Sequence, residues 1–229
     1  MFTSNEILRT ILKTYPGMIA NTEIQGCYPL PQGPKIIAAN HTVASDALHI
    51  PLAIDEKLCF LLQANLFQLP ILGPLLKLDG HIPVKPSNRG SGDALTEASH
   101  ALAEGKSLFI FPEGRLVPPG SRVRARSGVI RLALQTGAPI IPLGMYVPPQ
   151  NVLTMSTHWL GQKRTGLWQF TGTCHMKFGT PWRPSLERSA STNIHVQTEQ
   201  LMNDIYSLVA ELQKELTCAS HTSLNLILR

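Results

Sequence analysis

Four short apolar runs, at 36–39, 59–62, 107–111 and 139–145, are separated from one another by stretches whose apolar residues recur at helical spacing. Runs of this length that do not alternate with polar residues suit strands buried on both faces, and an intervening helix makes each link a βαβ crossover. This alternation confines the chain to an α/β fold, with a largely parallel, mixed central sheet flanked by helices. At 229 residues the chain fits a single domain spanning 1–229.

The helices carry ordinary boundary signals. Ser45 stands where an N-cap would open a helix over 47–54, and the helix expected over 93–104 has an acidic first turn and Gly105 just past its end. Ser127 and Gly137 bracket another, over 127–136. An amphipathic N-terminal helix is expected within 1–20, with Ile7, Leu8, Ile11 and Leu12 on one face. The last helix, over 192–217, places Leu201, Ile205, Leu208, Leu212 and Leu216 in a single stripe. The segment after Pro148 is less regular: a loop carrying His158 and Trp159, then strands near 167–171 and 175–178.

Composition narrows the partners. Charged residues make up 15% of the chain, below the roughly 25% usual for soluble domains, so an unusually apolar surface is expected. The net charge of +5 favours an anionic partner. The arginines gather in one loop rather than along a helix face, and no zinc spacing occurs, which argues against nucleic acid. Cys27, Cys59, Cys174 and Cys218 form no Cys-x-x-Cys pair, and no secretory signal opens the chain, so a cytoplasmic setting is expected. From Leu58 to Leu76 runs a 19-residue stretch without a charge, near membrane-spanning length, but Gln63, Asn65, Gln68, Pro70, Gly73 and Pro74 interrupt it. A strand followed by short apolar helices is expected there, forming core, an acyl-chain pocket or a lipid contact.

Two loops at the carboxyl ends of predicted strands carry chemistry. His41, four intervening residues and Asp46 follow the run at 36–39. A carboxylate there can hold one imidazole nitrogen as a donor and leave the other to accept a proton. Pro112, Glu113, Gly114 and Arg115 follow the run at 107–111, and in a parallel sheet both loops open on the same edge. His41, Asp46 and Glu113 also leave open a metal hydrolase, and a chain that keeps only the apolar pocket would be a non-catalytic lipid-binding protein.

Asn40-His41 with Asp46, Gly80-x-Ile82-x-Val84, Phe111-Pro112-Glu113-Gly114 and Ile140-Ile141-Pro142-Leu143 resemble, in order and spacing, the four blocks of the glycerolphosphate and lysophosphatidate acyltransferase superfamily. The resemblance implies that His41 and Asp46 are catalytic. His41 would deprotonate a hydroxyl that attacks an acyl-CoA or acyl carrier protein thioester, a co-substrate, with no cofactor and no metal. It also implies that Glu113 and Gly114 bind the acceptor, a lysophosphatidate-like lipid or another polar lipid. The low charge fraction, the N-terminal helix and the stretch from Leu58 to Leu76 add the expectation of peripheral attachment to the inner face of a membrane. Two departures bear on the acceptor. The second block usually ends in arginine, where this chain has Val84-Lys85-Pro86, and the third usually reads Phe-Pro-Glu-Gly-Thr-Arg, where Arg115 is followed by Leu116. Lys85 and Arg115 stand one residue early, and Arg89, Arg122, Arg124 and Arg126 lie nearby as substitutes for the phosphate-binding cations.

Overall fold

A computed structural model of the chain describes residues 21–26, 29–85, 91–159, 162–185 and 190–227. The expected N-terminal helix and Arg89 lie outside the described residues. The centre is a seven-stranded sheet in the order β1-β9-β6-β2-β5-β3-β4. Its strands are β1 (Asn21–Gly26), β2 (Ile36–Ala39), β3 (Leu58–Gln63), β4 (Ile82–Val84), β5 (Ser107–Ile110), β6 (Ile140–Tyr146) and β9 (Thr173–Phe178). The five from β4 to β6 are mutually parallel, while β9 runs antiparallel to β6 and carries β1 parallel to itself. The sheet is therefore mixed and largely parallel, as the apolar runs imply.

The runs form central strands because both of their faces are covered. Ile36, Ala38, Leu108 and Ile140 point into one apolar layer with α3 (Ser91–Ala103), α4 (Gly128–Thr136) and α5 (Ala190–Ile227). Ile37, Ala39, Phe109 and Ile141 point into the other, with α1 (Asp46–Ala53). Gly137 ends α4 in the left-handed region at φ 70°, as its position after the last apolar residue predicts. Gly144 on β6 admits α5 to close range, since a Cβ there would stand 2.7 Å from Leu208 Cβ and 2.9 Å from the Val209 nitrogen.

Several boundaries differ from the sequence expectation. β1 is an exposed edge strand whose apolar signal is too weak to mark it in the sequence, where Ile24 and Gly26 lead into a turn. The segment assigned to a loop around His158 and Trp159 is β7 (Leu153–Trp159), paired antiparallel with β8 (Gln162–Trp168) in a separate two-stranded sheet. The expected strand at 167–171 is thus the end of β8, shifted toward the N-terminus. The last helix is longer than 192–217, with no proline or glycine in the ten residues after Thr217 to stop it. The uncharged stretch forms β3, a 3₁₀ turn at Ala64–Gln68 and α2 (Leu72–Leu78), which matches the expectation of a strand and short helices. Among the described residues no helix is long and apolar enough to cross a membrane.

Candidate active site

β2 and β5 are adjacent and parallel, so the loops that follow them emerge side by side at the carboxyl edge of the sheet. The first is fixed at its root by Asn40. The Asn40 side-chain amide donates to the Met145 carbonyl at 2.9 Å, and its oxygen accepts the Met145 N–H at 2.8 Å. A buried amide paired in both directions with the end of β6 leaves the next residue, His41, little freedom.

His41 Nδ1 lies 3.1 Å from Asp46 Oδ2. The same oxygen accepts the main-chain N–H groups of Thr42 at 2.9 Å and Val43 at 2.8 Å. Asp46 is buried at the start of α1, where its charge also suits the helix N-terminus. A carboxylate can only accept, so Nδ1 is the donor in this pair, which in a neutral imidazole leaves Nε2 as the acceptor. Phe111 stacks on the imidazole at a centroid distance of 3.9 Å and 12° between planes, covering one ring face. The His41 side chain retains 19% exposure, so the group is screened but reachable.

Ser45 differs from its expected role as a helix cap, for its hydroxyl makes no capping bond and instead accepts the Gln169 N–H at 3.0 Å. Together with the Ala44 N–H donating to the Leu167 carbonyl at 2.7 Å, this ties the loop to β8 and the segment that follows it.

The second loop meets the first through Glu113. One carboxylate oxygen accepts the main-chain N–H of His41 at 2.7 Å, and the other accepts the hydroxyl of Tyr206 on α5 at 2.8 Å. Burial pushes the Glu113 carboxyl above the ordinary carboxylate range, against the opposing pull of the Tyr206 and His41 bonds. Burial, then the bond to the neighbouring carboxylate, pushes the Tyr206 hydroxyl well up, so it remains a protonated donor. With both oxygens held by the protein, Glu113 is a clamp on the backbone of His41.

Gly114 adopts φ 64°, and a Cβ there would stand 2.9 Å from Arg126 Nε, so the Arg126 side chain lies directly over it. The chain leaves the site through Val117, whose N–H donates to the His41 carbonyl at 2.8 Å, and returns through Arg126, whose N–H donates to the Pro112 carbonyl at 2.8 Å. The structure therefore brings together His41, Asp46, Glu113, Gly114 and Arg126. Arg115 is exposed on the loop, and Lys85 is exposed at the end of β4, separated from β2 by β3 and β5. Among the described residues, no group of three or more His, Cys, Asp or Glu side chains is arranged to hold a metal ion.

Residues 21–146 match the family model described as Acyltransferase. This chain belongs to the acyltransferase family. It is 28% identical over 125 residues to a chloroplastic 1-acyl-sn-glycerol-3-phosphate acyltransferase of Brassica napus, covering 53% of this chain and 36% of that protein. It is 32% identical over 112 residues to a 1-acyl-sn-glycerol-3-phosphate acyltransferase of Borreliella burgdorferi, covering 48% and 45%. The chain thus spans less than half the length of either relative. In fold it is similar to the crystal structure of the 1-acyl-sn-glycerophosphate acyltransferase PlsC from Thermotoga maritima, with a TM-score of 0.68 and 20% identity over 91% of this chain and 79% of that one.

The acyltransferase match ends at Tyr146, so Tyr206, which completes the clamp on Glu113, lies outside it. Sequence reasoning missed Tyr206 because it falls just off the apolar stripe of α5 and meets Glu113 across 93 residues. Phe111 and Asn40 stood in plain view within the blocks, but only the structure gives them tasks.

Proposed function

We propose that this acyltransferase moves a fatty acyl group from a CoA or carrier-protein thioester to a hydroxyl of a lysophosphatidate-like polar lipid, with His41 as the general base. The observation that carries this reading is the His41 and Asp46 pair, in which Nδ1 is committed to a buried carboxylate and Nε2 is left as acceptor. The names of the relatives support the acceptor class. In the proposed step, His41 Nε2 takes the proton as the acceptor oxygen forms a bond to the thioester carbonyl carbon. The carbon–sulfur bond then breaks, and the departing thiolate receives that proton from the imidazolium. Asp46 stabilises the imidazolium in between.

A membrane surface is the natural source of such an acceptor. α2 and its N-cap expose Ile71 at 80%, Leu72 at 39%, Leu75 at 44% and Leu78 at 76%, with Lys77 beside them. An exposed apolar patch of this kind fits insertion into the interface of an anionic bilayer.

The test is release of CoA from acyl-CoA across a panel of acceptor lipids, with wild type and His41→Ala. Turnover with a lysophospholipid, reduced about 10²–10⁴-fold by the substitution, is expected. Full activity in His41→Ala would overturn the base assignment, and turnover indifferent to acceptor phosphate would overturn the lysophosphatidate class.

A further inference from the structure

Beyond the clamp on Glu113, α5 and the arginine loop line an open pocket of about 450 Å³, a volume in the range of small-ligand sites. Its walls include Arg122, Arg124, His195, Thr198, Asn203 and Tyr206. Along 121–126 the exposed Arg122, Arg124 and Arg126 alternate with the half-buried Val123 and Ala125, the two-residue period of an extended chain. Ala125 packs on the core, so the loop is held against the domain. Arg122 lies 4.8 Å over the Tyr206 ring and donates to the Asn203 side chain at 3.3 Å, which fixes it at the cavity wall. Glu199 also lines the cavity, so two guanidiniums face one carboxylate and the balance is cationic.

We propose that this pocket binds a phosphoryl group of one of the two substrates, resting on the acyl-transfer reading above. The arginine forks and the Asn203 amide nitrogen offer a set of donors suited to phosphate oxygens, while the Thr198 hydroxyl donates to the Ile194 carbonyl at 2.7 Å. The pocket shares Tyr206 with the clamp, and Tyr206 is joined through Glu113 to the main chain of His41. A phosphoryl group seated here therefore lies next to the machinery that positions the base. It would replace in space the cations that Lys85 and Arg115 fail to supply in register.

Calorimetric titration of the full chain with CoA and with a short-chain lysophosphatidate tests this, with pantetheine and a monoacylglycerol as phosphate-free controls. In R122A/R124A, affinity for one phosphorylated probe is expected to fall about tenfold or more, the loss of at least one charge-assisted contact, and the control for that probe is expected not to change. Loss for CoA assigns the pocket to the donor, and loss for lysophosphatidate assigns it to the acceptor. Asn203→Asp, which adds a negative charge at the wall, should weaken the same probe and serves if the double variant melts early. Equal affinity of wild type and variants for both phosphorylated probes, or no binding of either by wild type, overturns the proposal. Binding needs no turnover, so a chain that binds through these arginines but transfers no acyl group would sink the proposed function alone.

Discussion

Replacing Tyr206 by Phe removes one hydroxyl and keeps the ring that Arg122 covers, so it isolates the bond to Glu113. Burial holds the folded pKa of Glu113 above its unfolded value, so protonation favours the folded state. The group's contribution to stability is fully present below the ordinary carboxylate range and is lost as pH rises through the raised folded value. The Tyr206 bond opposes that rise, and its removal pushes the folded value higher still. A hydroxyl bonded to a neutral carboxyl contributes about 0.5–1.5 kcal/mol, and one bonded to a carboxylate about 1.5–3 kcal/mol. Tyr206→Phe should therefore cost less near pH 4 than near pH 8, and the gap between the two should be roughly 1–1.5 kcal/mol. For a chain of this size the larger loss corresponds to a fall in Tm of about 3–12 °C. Urea unfolding of both proteins across that pH interval measures the difference directly. A loss of stability that is constant with pH, or that shrinks as pH rises, would refute the clamp as an ionic one.

Asp46→Asn keeps the shape but removes the charge that three N–H donors share, and acyl transfer should fall about 10²-fold or more as the imidazolium loses its stabilising partner; an unchanged kcat would count against the pair. Exchanging the exposed Ile71 and Leu78 for Gln should weaken binding to anionic vesicles by about tenfold, with little effect on turnover of a soluble short-chain acceptor. Vesicle sedimentation checks this, and equal binding would remove α2 from the membrane contact. Gly144→Ala should cost about 1–3 kcal/mol by forcing α5 off β6, and should lower activity as Tyr206 is carried with the helix. Thermal melting and turnover falling together would be the expected signature.

The central strands were legible because a strand covered on both faces must be apolar at every position, which marks 36–39, 107–111 and 139–145 without reference to anything distant. β1 and β7 have no such constraint, since an edge strand and an exposed hairpin can carry polar residues, and both were lost. The same distinction divides the candidate site. His41 and Asp46 pair across five residues, so their spacing shows the contact. Glu113 and Gly114 follow a strand whose parallel pairing could be expected.

What no local pattern displays is the set of contacts that makes the pair rigid: Asn40 with Met145 across 105 residues, and Glu113 with Tyr206 across 93. The first follows from the pairing of β2 with β6, and the second from how α5 is laid across β6, which depends on Gly144 having no side chain. The candidate residues His41, Asp46, Glu113 and Gly114 stand in two short loops that the sequence shows, but their positioning is a property of the assembled layers. That is why the block residues name the reaction class while Tyr206 and the arginine pocket beside it emerge only from the fold. The proposed phosphoryl pocket stands at the junction of the loop and α5, beyond the blocks that the family shares. Variation at 122, 124, 195 and 203 should accordingly alter affinity for phosphorylated substrates with little effect on the His41 step, and variation at 46 should do the reverse.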